Sequence, residues 1–271
     1  NLKRLKLFIK SIFNKKEPAL KKAKLEVSKE NPNIPMQLKF EVSPTEVIRK
    51  LLSVNDLTLE TSLEEERNII GKVYDQVLVK LKEYDFPDIR IIRGDAVVEA
   101  KDNFDNLLFS QGNPGRSSTY TRYVDEDHVL RTHTSALIPI TFRNIKEPIG
   151  HSTFVLPGLV YRRDVIDPRH LDVFHQIDVW TLSSIEKYGK ANRKQLLNLA
   201  KAVFEAACPD AEMIVYEAKH PYTLDGIEVY AGVDGKEIEV FEAGLAHPEV
   251  LKRAGLNPEE YSGLALGMGI E

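Results

Sequence analysis

Two apolar runs flanking a charged loop constrain this chain more than any other feature. The first is Gly158-Leu-Val-Tyr-Arg-Arg-Asp164 and the second is Leu171-Asp-Val-Phe-His-Gln-Ile-Asp-Val-Trp180. Between them stand Asp164, Asp167, Pro168, Arg169 and His170, which are turn formers and charges. Two antiparallel strands joined by a polar loop over residues 164–171 are therefore expected. Side chains alternate across a strand, so Phe174, Gln176 and Asp178 share one face and His175, Ile177 and Val179 the other. Arg162, on the partner strand, can point the same way as the first set. An aromatic plate can stack on a base, an arginine can grip a phosphate, and a carboxylate with an amide can hold an ammonium group. That set suits ATP beside an amino acid. On spacing alone, an ordinary hairpin with a charged turn accounts for the same residues.

The chain has 271 residues, of which 42% are hydrophobic, enough for one large cored domain or two small ones. No run approaches the roughly eighteen apolar residues of a membrane span. The start is basic, yet no apolar core or small-residue cleavage site follows it, so a cytoplasmic protein is expected. A single cysteine, Cys208, excludes a disulfide framework and a cysteine-rich zinc site. It ends an apolar helical pattern, which makes it a buried structural thiol rather than a nucleophile. Residues 1–25 carry nine Lys or Arg against Glu17, a net +8 that leaves −12 on the rest of a chain of net charge −4. That asymmetry suggests a basic arm on an acidic body.

Within the arm, Leu2, Leu5, Phe8, Ile9, Ile12 and Phe13 fall at helical spacing. It can dock on its own domain, touch RNA phosphates or lie on a membrane surface. Pro18, Pro32, Pro35 and Pro44 mark a linker, so residues 1–45 are expected to be arm and linker and 46–271 one domain. Ser62-Leu-Glu-Glu65 has the form of a capping box. It would open a helix to about Tyr84, with Ile69, Ile70, Val73, Val77, Leu78 and Leu81 inward. Ile89–Arg93 reads as a strand and Gln111–Ser118 as a loop. Arg131, His133 and Ser135 fall on one face of a strand entering a helix, with Ser135 as N-cap. A helix over Lys194–Cys208 turns Leu196, Leu197, Ala200, Val203, Phe204 and Ala207 inward. Met213–Ala218, Gly226–Val233 and Lys236–Phe241 read as strands. Pro248–Ala254 and Pro258–Ser262 read as helical, with a break at Gly255.

Tyr161-Arg-Arg-Asp, Asp167-Pro-Arg-His170 and Phe174-His-Gln-Ile-Asp178 together resemble motif 2 of the class II aminoacyl-tRNA synthetases. Leu130-Arg-Thr-His-Thr-Ser135, and Ala246–Leu251 running through Pro258–Glu271, follow in the order found in the phenylalanyl-tRNA synthetase α subunit. The resemblance covers about residues 85–271. It implies an α+β fold, a mainly antiparallel six- to seven-stranded sheet flanked by helices. It also implies amino-acid activation with ATP and Mg²⁺, followed by transfer to tRNA. The family's roles fall on Arg162 for the α-phosphate, Phe174 for adenine, His170 near the phosphates and Glu239 for the metal. His133, Ser135, Gln176 and Asp178 would orient the substrate ammonium, and Ala265 would floor the side-chain pocket. The helix at 62–84 and the strand at 89–93 resemble motif 1, which implies a homodimer; a β-type partner subunit also belongs to the family.

Several positions depart from the pattern. Gly94-Asp95 replaces Gly-Pro after motif 1, Asn113 replaces a histidine, and Asp178 replaces a glutamate. The Phe-Pro-Phe triplet that reads the phenylalanine ring is His220-Pro221-Tyr222, and an acid just after it is Leu224. His220 and Tyr222 would line the side-chain pocket and disfavour an apolar ligand that leaves them unpaired; a surface turn is the alternative for this stretch. Phe241-Glu242 stand where the resemblance expects glycines, and can close the pocket or add a carboxylate to it. Gly263–Gly269 begins motif 3, whose arginine would fall just past Glu271. The departures leave a second reading beside the enzyme, a synthetase-like binding or regulatory protein without turnover.

Overall fold

The structure is a computed structural model that describes residues 44–59, 68–146, 148–163 and 171–270. The chain forms two compact units, Asn1–Asn55 and Asp56–Glu271. In the first, the described part contains helix α1, Pro44–Leu52. None of the described helices is long and apolar enough to cross a membrane. The arm, the proposed capping box at Ser62–Glu65 and the loop with His170 lie outside the described residues.

In chain order the second unit contains α2 (Ile69–Glu83), β1 (Ile89–Ile91), β2 (Val97–Glu99), α3 (Ala100–Asn103), β3 (His128–Leu130), α4 (Ile138–Arg143), β4 (His151–Tyr161), β5 (Val173–Ser184), α5 (Ile185–Tyr188), α6 (Arg193–Ala207), β6 (Glu212–Glu217), β7 (Thr223–Val233), β8 (Lys236–Ala246), α7 (Pro248–Arg253), β9 (Tyr261–Ser262) and β10 (Leu264–Ile270). The main sheet runs β1-β4-β5-β10-β8-β7-β6, with β9 paired to β5. Among the described residues, only β1 with β4 is parallel in this sheet; its other pairs are antiparallel. This is the α+β fold expected from the sequence, a mainly antiparallel sheet flanked by helices, with β9 bringing it to eight strands.

Each face of the sheet has its own core. Ile177 and Val179 join Val155, Val229, Phe241, Leu266 and Met268 under α2 and α6. Trp180 and Leu182 join Phe154, Leu156 and Ala265 under α4 and α7. Alternation along β5 thus sorts its residues as expected, with Asp178 and Trp180 opposite Ile177 and Val179. Helix α6 begins with a reciprocal cap between Asn192 and Gln195. In α2 the buried positions are Ile70, Tyr74, Val77 and Leu81, and Asn68 caps the first turn by accepting from Gly71 N–H.

Several expectations change. Ile69, expected inward, is 72% exposed, because it is the first residue of α2 and has no turn beneath it. In α6 the inward side takes Leu199 and leaves Leu197 exposed. Residues 258–262 form a turn and then β9, not a helix: Tyr261 and Ser262 pair with Ser184 and Ser183, and that ladder satisfies backbone a helix would bond internally. Ser135 is not an N-cap; it lies inside a short 3-10 turn, Thr134–Leu137, whose N-cap is His133.

Candidate active site

The site lies on the α4/α7 side of the sheet. One row of cross-strand neighbours defines it. Asp178 on β5 sits opposite Gly267 on β10. Gly267 sits opposite Glu242 on β8, and Glu242 opposite Glu228 on β7. Cross-strand neighbours point to the same side of a sheet. The row therefore reads carboxylate, gap, carboxylate, carboxylate. The gap is needed, since a Cβ on Gly267 would lie 3.2 Å from Gln176 Nε2 and 3.3 Å from Asp178 Oδ1.

Asp178 is fully buried. It accepts from Thr134 Oγ1 at 2.8 Å, from Gln176 Nε2 at 2.8 Å and from Ser135 Oγ. Burial pushes its carboxyl up to about 6 while these donors pull it down. The row of alternating residues Arg131, His133 and Ser135 anticipates only part of this set. Strand β3 stops at Leu130, and the 3-10 turn brings the consecutive hydroxyls of Thr134 and Ser135 onto one carboxylate. Thr134 escapes a reading of the sequence because strand alternation points it away. Arg131 ties the framework together, donating from Nε to Leu159 O at 2.7 Å and from an Nη to Gly94 O at 3.1 Å.

His133 lies beside this set, with Nε2 donating to Asn103 O at 2.9 Å and its ring 5.5 Å from that of Phe109. Burial, and then the Arg162 charge, hold it down at about 3, so it is neutral at physiological pH. At the other end of β5, the Arg162 guanidinium stands 5.0 Å over the Phe174 ring, and its Nε donates to Thr132 O at 2.9 Å. The plate and the arginine are therefore adjacent, on the same face as Asp178. His175 faces the opposite side and accepts from Leu57 N–H at 3.0 Å, a structural role.

Tyr222 stands between the Asp178 cluster and the β7–β8 face. Its ring stacks 6.2 Å from Trp180 and 6.1 Å from His220. Burial, the Glu242 charge and the Asp178 charge, in that order, push its phenol well above the ordinary range. Ala265 is fully buried and sits opposite Trp180 in the β10–β5 register. Phe241 does not enter the pocket; it is buried in the core beneath the sheet, and only Glu242 of that pair reaches the site face. Glu239 sits opposite Tyr230, after a bulge that puts it on the same side as Glu242. Burial and the Glu242 and Glu228 charges raise its carboxyl. Glu228 carries no signal in the sequence, because its partner across the sheet depends on register.

A family model described as tRNA synthetases class II core domain (F) matches residues 55–271. The chain is 34% identical over 169 residues to the phenylalanine–tRNA ligase alpha subunit of Prochlorococcus marinus (strain NATL2A), covering 62% of this chain and 48% of that protein. It is 35% identical over 179 residues to the same subunit of Vibrio campbellii, covering 66% and 52%. The chain spans about half the length of the curated relatives it matches. A pyrrolysyl tRNA synthetase structure from Desulfitobacterium hafniense is similar in fold, with a TM-score of 0.56 and 14% identity over 83% of this chain and 69% of that one.

Proposed function

Because this chain belongs to the family of class II tRNA synthetase core domains, we propose that it activates an amino acid with ATP and passes it to tRNA. The observation that carries this reading is the common face of β5: the Phe174–Arg162 pair at one end and the triply donated Asp178 carboxylate further along. The substrate carboxylate attacks the α-phosphorus of ATP. The bond to the bridging oxygen breaks, pyrophosphate leaves, and an aminoacyl adenylate remains. Chemistry of this kind depends on positioning and charge neutralisation. Ionised Asp178, with Gln176, holds the α-ammonium, while Thr134 and Ser135 fix the carboxylate's orientation. Arg162, anchored through Nε on Thr132 O, brings its positive charge to the α-phosphate. Phe174 offers its face to adenine, and His170 approaches the phosphates.

Burial first, and then the Glu242 and Glu228 charges, raise Glu239; those neighbouring carboxylates are a local surplus of negative charge, which fits a divalent cation there. Mg²⁺ held by Glu239 would neutralise the phosphates. A homodimer, a β-type partner subunit and a cytoplasmic setting complete the reading.

The side-chain pocket differs from a phenylalanine pocket. His220 and Tyr222 line it beside Trp180, and a phenylalanine ring would leave the buried Nε2 of His220 without a partner. An unpaired buried polar group costs about 1–3 kcal/mol, so a polar amino acid is the substrate. Amino-acid-dependent ATP–pyrophosphate exchange, screened over all proteinogenic amino acids, tests both claims. Exchange with a polar amino acid above that with phenylalanine is expected. Changing His220 and Tyr222 together to Phe should move the preference toward phenylalanine. Exchange with phenylalanine alone refutes the pocket reading. No exchange with any amino acid, with ATP still bound, favours a binding or regulatory protein.

A further inference from the structure

Glu228 and Glu242 face each other directly across β7 and β8. Like charges in that position destabilise a sheet unless something compensates them. No arginine or lysine is paired with either among the described residues; the Tyr230 hydroxyl donates to Glu228 Oε2 at 3.1 Å, the Tyr222 hydroxyl bonds to Glu242, and His220 is the further group that approaches. Its side chain is 6% exposed, and its Nε2 is sealed from solvent without a hydrogen-bond partner. Glu242 Oε2 stands 3.6 Å from that nitrogen, too far for a hydrogen bond. The other ring nitrogen is engaged, with Nδ1 3.2 Å from Thr223 Oγ1. A proton on Nδ1, donated to that hydroxyl, leaves the Nε2 lone pair aimed at a carboxylate oxygen.

We propose that His220, Glu228 and Glu242 bind one divalent transition-metal ion, zinc in the first instance. One ligand atom from each of the three residues lies within 4.8 Å of the others. Ligand atoms about 2.1 Å from a tetrahedral zinc are about 3.4 Å apart, near the separation seen between Nε2 and Oε2. An imidazole nitrogen with two carboxylates favours zinc or a similar first-row ion over magnesium, which prefers oxygen throughout. The Thr223 hydroxyl supplies the outer partner that fixes the ring of a metal-bound histidine. Local backbone makes room for that ring: a Cβ on Gly226 would lie 2.9 Å from His220 Nδ1 and 2.7 Å from Ala218 O.

The ion's place suggests its use, and this part rests on the proposed amino-acid activation. Asp178 and Glu242 are two strands apart, about 10 Å at ordinary strand spacing, with the side-chain gap of Gly267 between them. A substrate with its ammonium on Asp178 would point its side chain along that gap. The open coordination position would take an oxygen, nitrogen or sulfur donor from it, and an aromatic hydrocarbon offers none.

Chelator-treated full-length protein, titrated calorimetrically with Zn²⁺ in the absence of ATP and amino acids, tests the site. About one equivalent should bind, and His220→Ala and Glu242→Gln should each weaken it at least about tenfold. Cobalt(II) bound to the unmutated protein should show the visible absorption of a four-coordinate site, a readout that does not depend on how the variants fold. Binding far below one equivalent overturns the proposal. So does an affinity that neither substitution changes, or a cobalt spectrum of the hydrated ion. Failure here leaves amino-acid activation standing, whereas zinc binding without pyrophosphate exchange sinks only the catalytic reading.

Discussion

On the proposed function, Asp178 should make stability and substrate binding depend on pH in opposite directions. Burial raises its carboxyl from an ordinary 3.8 to about 6. A carboxyl raised in the folded state binds its proton more tightly there than in the unfolded chain. Its contribution therefore favours folding below the unfolded value and is lost as pH rises through the folded one. A rise of that size means that carrying the charge in the folded, ligand-free protein costs about 3 kcal/mol. Between about pH 8 and pH 5 the part recovered is about 1.4 kcal/mol. The perturbation is Asp178→Asn, which cannot titrate but keeps an oxygen for the Thr134 and Ser135 hydroxyls. Urea unfolding of both proteins across this range isolates the contribution of this one carboxyl, because shared titrations cancel in the difference. The native protein should gain about 1.4 kcal/mol on the variant as pH falls. Amino-acid affinity should move the other way, weakening about tenfold per pH unit below 6, since the ammonium needs the ionised acid. A stability difference that stays flat across the range refutes the reasoning, and so does one that moves in the opposite direction.

Arg162→Ala should lower kcat/KM for pyrophosphate exchange by about a hundredfold or more, as loss of a preorganised charge on the phosphate does; a change within about twofold removes the assigned role. The β1 edge of the sheet is unpaired among the described residues, and Ile91 on it is 49% exposed. A homodimer through α2 and β1 is therefore expected, with Ile91→Asp weakening it about tenfold or more, and light scattering that finds the native protein monomeric at every concentration rules it out. Deleting residues 1–25, which carry a net +8, should weaken tRNA affinity and flatten its salt dependence through reduced counterion release; an unchanged slope excludes the arm from RNA binding.

The sequence by itself determined the hairpin and the two faces of β5. Strand alternation has a period of two, so once Val173–Ser184 is a strand, Phe174, Gln176 and Asp178 must lie together. It also placed helix α6 to within a residue at each end, since apolar spacing is a local signal. Tertiary structure decided what meets what. The hydroxyls of Thr134 and Ser135 reach Asp178 across more than forty residues of chain, at separations of 44 and 43, and only because the backbone leaves strand geometry after Leu130. Residues 258–262 have helix-compatible composition, yet pairing with β5 claims their backbone. Most of all, Glu228, Glu242 and Asp178 share one row only through the register of four strands, with a bulge before Tyr230 resetting Glu239. A slip of one residue on any of those strands would turn its carboxylate into the opposite core. Nothing local in the sequence encodes that choice, because it is made by burying Phe241, Val229 and Ile177 together under α2 and α6.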